Sequence, residues 1–259
     1  MDSNLTVITN VVQAWQEFFS LGNSMEDMND IVEQTQLFNQ IQSSNLKIVV
    51  FSFSDLSILH VNQGAADIFG ASINEIRESG ASLIISCFDK KQLEFANKTA
   101  ILSAPETAKA SREDILDSLA CYCNWIIYSK KGLVHRNLFR VFPIKVNERG
   151  MPLVGMYLIY DVKPFIRSDI WWYRSVLGKN NFLHYQSNGK KLVKKDILSE
   201  REKNILVQVA DGKTSKEIGQ IYHISPHTVD NHRRKMLAKT GMVDTSSLIH
   251  VAKLSGILV

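Results

Sequence analysis

The sequence is poor in the features that would place it outside a cell or within a membrane. Only three cysteines, Cys87, Cys121 and Cys123, stand among 259 residues. An odd and sparse set cannot build a disulfide framework and fits a reducing compartment. No stretch approaches the ~18 uninterrupted apolar residues of a membrane helix, and the richest apolar run, Pro152 to Tyr160, has the length of a strand. The opening Met1-Asp2-Ser3-Asn4 lacks a basic segment followed by an apolar core, so no signal peptide is expected. Neither sign of charge dominates, and a net +4 permits a nucleic-acid partner without requiring one. Glycine-rich phosphate loops and nucleophile elbows are missing, which argues against an enzyme. Cys121 and Cys123 with Cys87 offer too few metal ligands, and His223, His227, His232 and His250 have no cysteine nearby. His60 and His135 read as satisfied structural histidines, so neither a metal nor another cofactor is expected. The expectation is a cytoplasmic, non-enzymatic protein.

What is present is ordinary globular material, 45% hydrophobic and 22% charged, in a chain long enough for two small domains. Leu5, Ile8, Val12, Trp15 and Phe19 recur at helical spacing, as do Met28, Ile31, Phe38 and Ile41. Residues 1–45 therefore read as a helical hairpin, whose apolar faces would pack on this chain or on a second copy. From Leu46 the pattern changes to β-branched and aromatic runs, over Leu46–Phe53 and Ser57–Val61. Helical pieces follow near 63–69, 72–79 and 89–103, then a polar loop over 104–114. Strands are expected near 123–129, 134–146 and 153–161, the last two joined by a turn at Asn147–Gly150. Strands, then helices, then antiparallel strands make residues 46–162 an α+β domain. Residues 163–195 form a connection. It holds an apolar anchor, Trp171-Trp172-Tyr173, and a hairpin signal with its turn at Asn188-Gly189 between Phe182–Gln186 and Lys190–Lys195.

The densest signals lie from residue 196 onward. Ser199-Glu-Arg-Glu202 and Thr214-Ser-Lys-Glu217 have the form of capping boxes, each opening a short helix. Ser225-Pro226 opens a third, a cap residue followed by proline at the first helical position. Gly212 and Gly241 are stops, and a fourth helix is expected over about 245–256. Two short helices joined by a tight turn, the second basic on one face, make a helix-turn-helix. On the recognition helix, about 226–239, Val229 and Met236 face the core. His227, Asp230, Asn231 and Arg234 face outward and carry the chemistry that reads base edges: Arg forks onto guanine, Asn onto adenine, and Asp accepts from cytosine. Thr214, Lys216, Ser225, Thr228, Arg233 and Lys235 suit phosphates, several at helix starts that favour anions.

These residues resemble a LuxR-type (NarL/FixJ-type) DNA-binding domain over 198–257. The match runs through Leu198-Ser-Glu-Arg-Glu202, Gly212-Lys-Thr-Ser-Lys-Glu-Ile218, Ile224-Ser-Pro-His-Thr-Val229, Asn231-His232, Lys239 and Gly241. The resemblance implies a bacterial transcription regulator whose fourth helix, near Leu248 and Val251, pairs two copies on DNA. Gly219, Tyr222 and Thr240 depart from the family pattern at packing positions, and Asp230 departs on the reading face, where a carboxylate beside phosphates needs a donor. Residues 46–162 resemble a PAS domain, through the two opening strands and Val61-Asn62-Gln63-Gly64-Ala65-Ala66-Asp67-Ile68-Phe69-Gly70. The stretch around Cys87 lacks the motif of the blue-light members. Ile48–Ser54 is followed by Asp55 alone, not by the acidic pair of a phospho-receiver.

The organisation expected is thus a helical hairpin (1–45), a PAS-like sensor or dimerisation domain (46–162), a linker (163–195), and an all-α four-helix DNA-binding domain (196–259). The expected partners are double-stranded DNA and a second copy of the chain, with RNA polymerase a further candidate and no membrane. Activity would be tuned by a small molecule of unknown identity at the PAS-like domain; alternatively that domain only holds a dimer together and binds no ligand.

Overall fold

The computed structural model describes residues 47–107, 109–178, 181–189 and 191–258; the helical hairpin expected over 1–45 lies outside them. The chain divides into two compact units. The first includes residues 47–120, 125–161 and 176–181, and the second residues 121–124, 162–175 and 182 onward.

The first unit is an antiparallel sheet with helices inserted between its second and third strands. The strands are β1 (Lys47–Ser52), β2 (Ile58–Val61), β3 (Leu119–Tyr128), β4 (Val134–Val146) and β5 (Pro152–Asp161), in the order β2-β1-β5-β4-β3. Between β2 and β3 come α1 (Gln63–Phe69), α2 (Ile73–Ser79), α3 (Ala81–Ser86), α4 (Lys90–Thr107) and α5 (Arg112–Leu116). This is the element order of the expected α+β domain. Asn62 shows why the second strand ends where it does. Its Oδ1 accepts from the amide of Ala65, capping α1, and from the amide of Ile48 on β1, both at 3.1 Å. Gly70 then closes α1 with φ +69°, and a Cβ there would lie 3.0 Å from the amide nitrogen of Lys131. Only glycine satisfies both conditions cheaply.

The expected loop over 104–114 is largely helical instead. Ala104, Glu106 and Thr107 extend α4, and the hydroxyl of Ser111 accepts from the amide of Asp114 to start α5. Polar composition hid two helix-compatible segments. The turn after β4 forms as expected: Asn147 Oδ1 accepts from the amides of Arg149 and Met151, and Gly150 takes φ +79°. All three cysteines are buried thiols. Burial pushes the Cys87 and Cys123 thiols upward, away from reactivity.

In the second unit the hairpin expected within the linker forms, and the rest of that segment is folded as well. It begins with a short 3₁₀ turn (Lys163–Phe165) and continues as β6 (Trp172–Leu177), β7 (Asn181–Gln186) and β8 (Lys191–Val193). Four helices follow: α6 (Glu200–Ala210), α7 (Ser215–Tyr222), α8 (Pro226–Thr240) and α9 (Thr245–Leu254). Strand and helix parts are joined by specific bonds. Trp172, fully buried, donates from Nε1 to the carbonyl of Thr240 at 3.1 Å. The amide of Arg167 donates to the carbonyl of Gly241 at 2.8 Å, and the Gln186 side chain donates to the carbonyl of Lys239. Arg174 grips Asp196 with two bonds of 2.7 and 2.9 Å, and Lys203 reaches the same carboxylate at 2.7 Å. Arg174 also donates to the carbonyl of Ser255 beyond α9.

Burial alone would raise the Asp196 pKa, but Arg174 and Lys203 outweigh it and hold the group below its ordinary 3.8. A depressed carboxylate contributes stability above its unfolded pKa and loses it as pH falls through its folded pKa. Asp196→Asn leaves a buried guanidinium without its counter-charge and should cost roughly 3–5 kcal/mol at neutral pH. Thermal unfolding as a function of pH checks this. The gap in Tm between wild type and variant should close as pH drops below the ordinary carboxylate range, and a gap independent of pH would contradict the assignment.

Candidate nucleic-acid interface

Each of the helices α6 to α9 begins at a side-chain cap. Ser199 and Thr214 form the two expected capping boxes, with Glu202 and Glu217 bonding back to the cap amides at 2.8 Å. Ser225 caps α8 by accepting from the amide of Thr228 at 3.1 Å, with Pro226 in the first turn. These bonds satisfy amides that helix starts leave without intrahelical partners. The turn between α7 and α8 is set by His223, in the left-handed region at φ +53°, and by the amide of Ile224 donating to the carbonyl of Gly219 at 3.0 Å.

Helix α8 has two sides. Val229 and Met236 are fully buried. His227, Asp230, Arg234 and Lys235 are exposed, and Asn231 is half-buried beside them. The four residues expected to read bases therefore share one outward face. They are also tied to one another and to α7. Arg234 Nη2 donates to Asn231 Oδ1 at 2.6 Å, and Ser215 Oγ donates to Asp230 Oδ1 at 2.6 Å. The donor that the unusual carboxylate requires is thus supplied from α7.

The six residues expected at phosphates are spread along the helix starts and the α8 flank. Lys216, Ser225 and Lys235 are exposed. Thr214 is exposed as well, its hydroxyl engaged with Glu217 at 2.7 Å. Thr228 shares a hydrogen bond of 2.9 Å with Ser225. Arg233 is half-buried and reaches two hydroxyls, Ser215 at 3.4 Å and Thr245 at 3.2 Å, so it bridges three helices. Ser215 and Thr245 were not singled out by the sequence. Their partners lie on other helices, and periodicity within one helix carries no such information.

The departures from the family pattern have local causes. A Cβ on Gly219 would stand 2.7 Å from the carbonyl oxygen of Ile224, so alanine does not fit where the turn approaches α7 this closely. Tyr222 carries the Arg201 guanidinium 4.3 Å above its ring and donates to the carbonyl of Asn204, joining α7 to α6. Thr240, fully buried, is where Trp172 bonds. Two expectations are corrected. Leu248 and Val251 are each only 1% exposed and so belong to the core of this unit rather than to a pairing surface. Ser246, His250 and Lys253 form the exposed side of α9. His60 and His135, expected to be satisfied, each keep a buried Nε2 without a partner. Among the described residues no group of three or more potential ligands is placed to hold a metal, and no helix is long and apolar enough to cross a membrane.

Comparison with known proteins bears on this half of the chain. Residues 196–252 match the model of the bacterial regulatory proteins of the luxR family. Over 53 residues the chain is 43% identical to the transcriptional regulatory protein TdiR of Thauera aromatica, a match covering 20% of this chain and 23% of TdiR. The chain therefore spans about a quarter of that relative's length. Among solved structures it is similar to the VqmA dimer of Vibrio cholerae, with 17% identity, 87% of this chain and 88% of that chain covered and a TM-score of 0.30. It is also similar to a PAS domain of the fruit-fly ELK potassium channel, with 18% identity, 54% and 98% covered and a TM-score of 0.33. Those scores are too low to carry an argument about the fold.

Gly219→Ala tests the close approach of the turn. The substitution gains helix propensity worth about 1 kcal/mol, while forcing backbone apart typically costs 1–3 kcal/mol. The expected result is a lower Tm by thermal denaturation; an unchanged or raised Tm would show that the turn yields freely.

Proposed function

Because residues 196–252 are a DNA-binding domain of the luxR family, we propose that this chain is a sequence-specific transcription regulator whose helix α8 enters the major groove. The observation that carries the reading is the single outward face of His227, Asp230, Asn231 and Arg234, set against the buried Val229 and Met236. The Asn231–Arg234 bond ties the two side chains together before DNA arrives, which would reduce the ordering cost of binding. His227 and Asp230 extend the reading face at the start of the helix. Lys216 and Lys235, with the hydroxyls of Thr214, Ser225 and Thr228 and the free N–H groups of Arg233, meet the flanking phosphates. Two copies would read a two-fold symmetric site. The PAS-like domain tunes that binding through a small molecule. Support for a ligand comes from polar atoms inside the first unit that the chain itself leaves without partners.

Selection of genomic fragments by the full-length protein, beside an Asn231→Ala/Arg234→Ala variant, tests the reading face. Loss of two bidentate base contacts should remove roughly 2–6 kcal/mol of discrimination. The wild type should enrich a symmetric site and the variant should not; equal enrichment by both would move base reading elsewhere. Lys216→Ala should instead weaken binding to all sequences alike and reduce the slope of log K against log salt by about 1. A change in sequence preference would contradict its placement at a phosphate.

A further inference from the structure

The polar side chains on the outward face of α8 are bonded before any DNA is present, and each bond has a fixed direction. Arg233 has donors only, so where its Nη1 meets Ser215 Oγ at 3.4 Å the hydroxyl oxygen accepts. The single hydroxyl proton of Ser215 is then left for Asp230 Oδ1, which it meets at 2.6 Å. A positive charge thus stands behind the carboxylate, and one of its two oxygens is occupied. No other hydrogen bond or ion pair reaches Asp230 among the described residues. Its other oxygen, an acceptor, is open to the outside.

Asn231 is polarised in the opposite sense. Arg234 Nη2 meets its side chain at 2.6 Å, and a guanidinium can only donate, so the atom it meets is Oδ1. With that acceptor occupied, Asn231 has only the N–H groups of Nδ2 to offer, and Arg234 only its remaining N–H groups. An asparagine reads adenine by accepting from N6 while donating to N7. Here the acceptor needed for N6 is already taken.

We infer that α8 reads a cytosine through Asp230 and, in the same half-site, a guanine through Arg234 and Asn231 together, with Ser215 as the positioning residue for Asp230. Asn231 does not select adenine. The inference rests on the DNA-reading role proposed above and names the bases that role recognises. In the major groove cytosine shows a lone amine donor, which suits the open carboxylate oxygen. Adenine sets an N7 acceptor beside its N6 amine, and a carboxylate has no donor to meet it. Guanine shows two acceptors, O6 and N7, which suit a pair offering donors only; thymine offers one acceptor beside a methyl group. Asn231 therefore adds a single donor, and Arg234 carries most of the loss in the Asn231→Ala/Arg234→Ala variant.

Selection from a randomised duplex library by the full-length protein tests this. Each half-site chosen by the wild type should hold a cytosine and a guanine, each preferred about tenfold over other bases. Asp230→Asn keeps an oxygen for the Ser215 proton and leaves only an amine outward. It should turn the cytosine position to guanine or thymine, the bases with an acceptor there. Ser215→Ala/Asp230→Asn frees both amide atoms and should turn the same position to adenine, an outcome that a merely structural Ser215 would not produce. Should that double variant fail to fold, the Asp230→Asn result still decides. A shift to adenine in Asp230→Asn alone would overturn the role of Ser215. A cytosine position unmoved by Asp230→Asn, or an adenine in the wild-type site that Asn231→Ala abolishes, would overturn the base assignments. A symmetric site built of other bases removes this inference and leaves the regulator reading standing, whereas no selected site at all removes both.

Discussion

A helix ends with carbonyls that have no partner within the helix, and at the end of α8 the protein answers this with donors from β6, β7 and the segment just before β6. Trp172 satisfies the carbonyl of Thr240, the Gln186 side chain that of Lys239, and the amide of Arg167 that of Gly241. The same helix carries the outward face proposed to read bases, His227, Asp230, Asn231 and Arg234. Asn231 and Arg234 lie on the same uninterrupted helix as that last turn, Pro226–Thr240. The buried Arg174–Asp196–Lys203 group anchors β6 to the start of α6, and Glu202, within α6, bonds Lys239 at 2.6 and 2.9 Å. The DNA-binding half is thus a mixed unit of strands and helices rather than four helices on a tether.

The local features of that half could be read directly from the sequence. Caps, stops and the division of α8 into buried and exposed sides depend on residues within four positions of one another, and helical periodicity reports them. The same holds for Asn62, Phe69 and Gly70 in the first unit. What the sequence concealed were contacts between distant segments. Trp172 was recognisable as an anchor because so large an apolar side chain must be buried, but nothing near it indicates that its N–H meets residue 240. Within residues 163–195 the hairpin signal at Asn188-Gly189 was legible, and the hairpin forms as β7 and β8; nothing local indicated that Trp172–Leu177 would join it as β6. The family departures at Gly219, Tyr222 and Thr240 were visible as oddities, and their causes are tertiary.

The two units differ in how they treat buried polar groups. In the second, buried charges are paired: Asp196 with Arg174 and Lys203, and Glu202 with Lys239, whose ammonium holds the Glu202 carboxyl below its ordinary range against the opposing effect of burial. There His232 Nδ1 is the only orphaned side-chain atom among those described. In the first unit, orphaned atoms occur on His60, Asn97, His135, Asn137 and Arg140. The unpartnered atoms of the described residues are thus concentrated in the first unit.

The central claim is that the strands β6 and β7 hold helix α8 in place. Hydrogen exchange on the full-length protein and on Trp172→Phe, which keeps the ring bulk but removes the N–H, tests it most directly. The account predicts faster exchange in the last turn of α8, unchanged protection in α7, and weaker DNA binding by the variant. Unchanged exchange in α8 together with unchanged DNA affinity would contradict it and return the strands to the role of a passive connection.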